Sequence, residues 1–89
     1  MEIRYHARFL KHYRQRILRS IGLKRRFQER VEVFSSNPDN EILDDHPLKG
    51  KQLGMRAFSI TGDVRVVYRW LSGNLVQFLD VGSHNQVYK

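Results

Sequence analysis

The sequence contains no cysteine, no long apolar run and few acidic residues. Without cysteine, disulfides, thiolate metal sites and cysteine nucleophiles are all excluded. No stretch approaches the roughly 18 apolar residues of a transmembrane helix. The opening run, Met1-Glu2-Ile3-Arg4-Tyr5-His6, has no apolar signal region either. Nine Asp and Glu stand against 16 Lys and Arg, a formal charge of +7 on 89 residues. So strong a field on so small a surface points to a polyanionic partner or an acidic protein partner. What remains is 40% hydrophobic, with five Phe, four Tyr and one Trp. That supports one compact domain over residues 1–89 with a small core and a slim margin of stability. The expectation is a small, soluble, basic cytoplasmic domain that needs no membrane.

Charge divides the chain into three blocks. Residues 1–36 carry a net +7, residues 37–48 a net −4 with no Lys or Arg, and residues 49–89 a net +4. The middle block opens Ser35-Ser36-Asn37-Pro38-Asp39-Asn40 and reads as a polar loop joining two structural halves. After an opening strand near residues 2–5, Phe9, Tyr13, Ile17 and Ile21 recur at helical spacing, with Leu10 and Leu18 beside them. Gly22 is the predicted stop of this helix. Leu23, Phe27, Val31 and Phe34 form a second helical stripe, so the first block predicts a helical hairpin.

The second half changes period. From Asp63 to Trp70 the residues alternate, with Asp63, Arg65, Val67 and Arg69 on one strand face and Val64, Val66, Tyr68 and Trp70 on the other. Ser72-Gly73-Asn74 marks a turn, Leu75 to Val81 the returning strand, and Thr61-Gly62 an earlier turn after a strand over Leu53 to Ile60. The fold class is α+β, in the order β-α-α-β-β-β: an N-terminal helical hairpin packed on a small, mostly antiparallel sheet.

Alternation alone makes Asp63, Arg65 and Arg69 a solvated strand face. A functional reading makes them a cationic floor for phosphates with a carboxylate beside it. His46, in the loop before the sheet, and His84, after its last strand, would supply an acid and a base if the fold brings them together. His6 and His12 lie in the helical block and read as bystanders. A metal site from Asp44, His46 and His84 has no supporting ligand spacing, and no cofactor is implied.

Three runs in order, "DHPLKG" from Asp45, "SITGDVRVVYRW" from Ser59 and "DVGSHNQVY" from Asp80, resemble the RelE/ParE toxin superfamily, and within it the YafQ-like branch of bacterial type II toxin–antitoxin systems. The resemblance implies a RelE-like fold and a metal-independent endoribonuclease that cuts messenger RNA in the ribosomal A site. A ribose 2′-hydroxyl would attack the adjacent phosphodiester. Residue by residue, it implies His46 as base, Asp63 as a carboxylate that orients or shares the base role, Arg65 as the cation at the crowded phosphate, and His84 as general acid. Tyr88 falls at an aromatic position suited to stacking on a base. Lys49 and Lys51, a looser match, would bind flanking RNA phosphates, and Arg56, Arg69 or a lysine would replace the cation lost at Asp80.

The same resemblance implies an acidic antitoxin protein wrapped on the basic face, operator DNA bound only through that complex, and ribosomal RNA met by the basic helices. Three positions depart from the pattern: Ser59 where a further His can stand, Val64 where an aromatic is expected, and Asp80 where an Arg often stands. Two alternatives stay open. One is a ParE-like inhibitor of DNA gyrase, which typically lacks the histidine pair. The other is a catalytically decayed module that binds its antitoxin and acts as co-repressor.

Overall fold

A computed structural model describes residues 1–88. The chain runs β1 (Glu2–Tyr5), α1 (Ala7–Arg16), α2 (Ile21–Ser36), β2 (His46–Pro47), β3 (Arg56–Ser59), β4 (Val64–Ser72), β5 (Leu75–Ser83) and α3 (His84–Val87). Short 3-10 turns at Glu41–Leu43 and Gly50–Gln52 flank β2. The five strands form one sheet in the order β1-β5-β4-β3-β2. β1 runs parallel to β5, and every other pairing is antiparallel. The architecture is α+β, as the alternation and the helical stripes predict. No helix of the described residues is long and apolar enough to cross a membrane.

The helical hairpin turns several residues before Gly22, the stop the sequence suggests. α1 ends at Arg16, with Ile17 as its last cap, and Ser20 opens α2 by accepting from the Leu23 amide at 3.2 Å. Gly22 therefore stops nothing; it sits in the first turn of α2. A serine side chain that satisfies a free amide of the first turn outweighs the helix-breaking tendency of glycine two residues on. The reversal at Ser20 also turns Ile21 out of its expected stripe, to 78% exposure, and leaves Leu10 and Leu18 exposed.

One sheet face carries the main core. Phe9, Ile17, Phe27 and Phe34 from the helices meet Phe58, Val66, Tyr68, Val76 and Phe78 from the sheet. Phe34 stacks on Phe58 with centroids 4.6 Å apart and meets Tyr68 edge-on at 4.9 Å. Each such side chain contributes about 1.5–3 kcal/mol by burial, so this face holds most of the fold's stability. The opposite face carries only Leu48, Ala57, Val67 and Val87, flanked by Met55, Leu79 and Tyr88. This smaller cluster fixes α3 and the loop after β2 onto the sheet.

Two elements, β2 and α3, were not expected, and the strand over Leu53 to Ile60 shortens to Arg56–Ser59. The 3-10 turn at Gly50–Gln52 and Gly54, at φ +90°, occupy the chain before Arg56. Between β4 and β5 the register slips: Val67 pairs with Asp80 and Tyr68 with Phe78, so Leu79 and Asp80 together oppose Val67. This bulge turns both residues toward the less covered face.

Candidate active site

Strand register assembles the site. His46 pairs with Ala57, Ser59 with Arg65, and Arg65 with Gly82. Paired residues share a sheet face, so His46, Ser59 and Arg65 all lie on the less covered side. β5 then runs straight into α3, which folds back over that side. Ser83 caps α3, and its own amide donates to Gln86 Oε1 at 2.8 Å, completing a capping box. The result places His84 and Tyr88 beside residues from β2 and β4.

Tyr88 is the centre of the arrangement. His84 meets its ring edge-on at 4.5 Å between centroids, and His46 lies at 6.5 Å. Two histidines 38 positions apart in sequence thus flank one tyrosine. The carboxylate of Asp63 accepts from the His84 backbone amide at 3.3 Å, so it reaches the start of α3 across the sheet end. His46 Nδ1 lies 3.0 Å from the Asp44 carbonyl. A carbonyl only accepts, so Nδ1 carries the proton and a neutral His46 presents the Nε2 lone pair. Asp44 achieves this geometry in the left-handed region, at φ +47°.

Arg65 is held in place and mostly buried. Its side chain is 16% exposed. Nη1 donates to Ser59 Oγ, Nη2 reaches the Gly62 carbonyl at 3.4 Å, and Asp44 Oδ2 lies 3.8 Å away. Ser59, a departure from the expected pattern, thus orients the arginine. Arg65 Nε and Tyr88 Oη are buried without a hydrogen-bond partner among the described residues. An orphaned buried donor costs about 1–3 kcal/mol, and two near one guanidinium make a place where an anion is stabilised. Burial raises the Tyr88 hydroxyl above its usual range; Arg65 opposes that shift and Asp44 adds to it. The phenol therefore keeps its proton at neutral pH and can donate it.

The flanking cations divide. Lys51 and Arg69 line a cleft of about 500 Å³ beyond Val87, floored by Met55, Val67, Leu79 and Val87, on the same face as the histidines. Gln52 Nε2 donates to the Val87 carbonyl at 2.8 Å and ties this wall to α3. Lys49 stands exposed on the loop after β2. Arg56 lies elsewhere: it pairs with Tyr68, on the helix-covered face, and its Nε donates to Asp45 Oδ1 at 2.8 Å. Tyr68 donates its hydroxyl to the other Asp45 oxygen. That network braces the loop ahead of His46 and leaves Arg56 out of the cluster. Its parity with Phe58 in a strand was the available signal.

Val64 packs at the edge of the main core. Asp80 lies 2.5 Å from His12 Nδ1, so His12 anchors α1 to the sheet, while His6 caps α1 by accepting from the Arg8 amide at 3.0 Å. No three His, Asp or Glu side chains among the described residues come together as metal ligands, so Asp44, His46 and His84 do not form such a group.

A family model described as the bacterial toxin of type II toxin–antitoxin system, YafQ, matches residues 1–89. The fold is similar to crystalline YafQ from Escherichia coli strain BL21(DE3), with a TM-score of 0.76 at 21% identity, covering 99% of this chain and 98% of that one. It is also similar to a chain of the E. coli DinJ–YafQ complex, with a TM-score of 0.73 at 22% identity and coverage of 99% and 98%. A metal-bound toxin from Helicobacter pylori aligns with a TM-score of 0.78 at 23% identity, covering 99% of each chain. No match was found among curated protein sequences.

Proposed function

The chain belongs to the YafQ family of bacterial type II toxins, and from that membership we propose that it is a ribosome-dependent messenger-RNA endonuclease working by general acid–base catalysis. The observation that carries the reading is the convergence of His46, His84 and Arg65 around Tyr88, with both histidines within 6.5 Å of its ring.

The chemistry follows from the positions. His46 Nε2 removes the proton from a ribose 2′-hydroxyl, whose oxygen forms a bond to the adjacent phosphorus. Arg65 and the Tyr88 hydroxyl donate to the phosphoryl oxygens as negative charge gathers there. Protonated His84 delivers a proton to the departing 5′-oxygen as its bond to phosphorus breaks. One proton is taken and one is given, leaving a 2′,3′-cyclic phosphate and a 5′-hydroxyl. Asp63 positions His84 through its backbone amide. A general acid or base contributes typically 10²–10⁴-fold, and a charge-stabilising donor about 10²–10³-fold.

Substrate and partners extend from the same face. The cleft beside Lys51 and Arg69 suits a neighbouring nucleotide, with its base on the aliphatic floor and its phosphate at the rim. Exposed Lys11, Arg14, Arg19, Lys24, Arg25 and Arg26 on and between the helices meet ribosomal RNA phosphates with little sequence preference, so binding weakens steeply with salt. An acidic antitoxin covers this basic surface, in line with the DinJ–YafQ pairing of the relative, and operator DNA is reached through that complex. The activity belongs in the cytoplasm, where ribosomes are.

A translation reaction with one defined mRNA tests the reading. Wild-type protein should produce new 5′ ends within A-site codons. His84→Ala should cut at least about 100-fold more slowly while its melting temperature stays near wild type. Equal cutting by the variant would remove His84 from the mechanism, and no cutting by folded wild type would reject the nuclease.

A further inference from the structure

We propose that Arg16, in the last turn of α1, forms a second phosphate subsite beside Arg65, on the β5 side of the cluster. The inference rests on the nuclease reading above and adds a residue from the helical hairpin to the substrate-binding surface.

The placement is specific. Arg16 Nη1 donates to the Val81 carbonyl at 3.0 Å and lies 3.7 Å from Asp80 Oδ1. Its guanidinium crosses β5 at Gly82: a Cβ there would stand 2.7 Å from Nη1 and 2.6 Å from Gln86 Oε1. The missing side chain of Gly82 is what admits the arginine. Gly82 is the strand partner of Arg65, and partners share a face with strands about 4.8 Å apart. The Arg16 guanidinium therefore lies over β5 on the face that carries Arg65, whose own guanidinium turns toward Ser59 on β3. Gln86, the other neighbour of that Cβ position, is in the same short helix as His84.

The hydrogen bonding leaves part of the group without a protein partner on a side chain that is 20% exposed. Among the described residues only Nη1 is engaged, so Nε and Nη2 remain available as a planar fork of the kind that grips a phosphate. Asp80 offsets part of the Arg16 charge, but its carboxylate is shared with other donors. Its Oδ1 is already shared with His12 at 2.5 Å and the Val81 amide at 2.8 Å. Asp80 acts as the tether of a cation supplied by α1, and His12 holds the tether. A clamp between α1 and β5 explains the bond to Val81 but not a fork left open on the face where the substrate lies.

The test is binding of a short single-stranded RNA, 2′-O-methylated so that it cannot be cut, to the full chain at several salt concentrations. Arg16→Gln should weaken binding about ten- to a hundredfold at low salt and reduce the slope of log K against log salt by about 0.7, one phosphate contact. Arg16→Lys should keep the slope and recover part of the affinity. Gly82→Ala, with Arg16 intact but displaced, should fall between them. Thermal melting of each variant reports a clamp role separately.

Unchanged affinity and slope in folded Arg16→Gln would overturn the subsite and leave the nuclease standing. Weakened binding of an acidic peptide with undiminished RNA binding would also overturn it, by giving Arg16 to a protein partner. Wild-type protein that binds no free RNA would overturn the subsite, while the nuclease reading is judged separately by cleavage on translating ribosomes.

Discussion

The two faces of the sheet differ in what they bury. The helix-covered face packs Phe9, Phe27, Phe34, Phe58, Tyr68 and Phe78 into one aromatic core. The other face buries four small or aliphatic side chains, Leu48, Ala57, Val67 and Val87, and spends the rest of its area on His46, Arg65, His84 and Tyr88. Folding free energy is concentrated on the first face, and unsatisfied donors and convergent charge on the second. A chain this short holds a polar site because the aromatic face is dense enough to stabilise the sheet alone.

Truncating one residue on each face tests that division. Phe34→Ala should cost about 3–5 kcal/mol, a large part of a typical total stability of about 5–15 kcal/mol, and much of the protein should unfold in mild urea. Leu48→Ala should cost about 2 kcal/mol, the low end for such changes, because its small cluster can collapse around the gap. It should nonetheless lower cleavage in the folded fraction, since Leu48 seats the chain immediately after β2, which carries His46. Equal costs on both faces, measured by urea denaturation, would erase the contrast.

Tyr88→Phe sharpens the comparison within the site. The ring stays against His84 while the buried, unpartnered hydroxyl goes. Stability should hold or rise slightly, because an orphaned donor is removed. Cleavage should fall about tenfold or more if that hydroxyl donates to the phosphate. Unchanged cleavage would reduce Tyr88 to a packing surface.

The smallest effect appears only in alkali. Burial, then the bond to Asp45, raises the Tyr68 hydroxyl well above its usual range, against an opposing effect from Arg56. The folded state then keeps a proton that the unfolded state has released. Stability is therefore fully present below pH about 10 and lost as pH rises through the folded value. Tyr68→Phe should flatten that decline without abolishing it, because Tyr13 and Tyr88 are raised as well. Urea midpoints between pH 9 and 11 would show it, and an identical decline in the variant would dismiss Tyr68 as the source.

How much of this was legible depends on range. β4 and β5 follow from alternation and turn residues, and α1 and α2 from apolar spacing. The opening strand at Glu2–Tyr5 follows as well. β2 has two residues and α3 has four, too few for any period to register. Gly22 points to a stop that Ser20 overrides, because the Ser20 hydroxyl caps the first turn of α2. In the structure, His46, Asp63, Arg65, His84 and Tyr88 from the three family runs lie together, whereas Asp45 pairs with Arg56 on the helix side, where strand parity sends that arginine. Arg16 and the tether Asp80 were out of reach: a contact across 65 positions between a helix end and a bulged strand has no local signature.

The most direct test of the central claim replaces a single ribose. An mRNA carrying one 2′-deoxynucleotide at the mapped cleavage position, but otherwise identical, is offered to wild-type protein on translating ribosomes. The account predicts that cutting at that position disappears, while unmodified mRNA yields 2′,3′-cyclic phosphate and 5′-hydroxyl ends. Undiminished cutting at the deoxy position, or products with 5′-phosphate ends, would contradict attack by the 2′-hydroxyl and with it the roles assigned to His46 and His84.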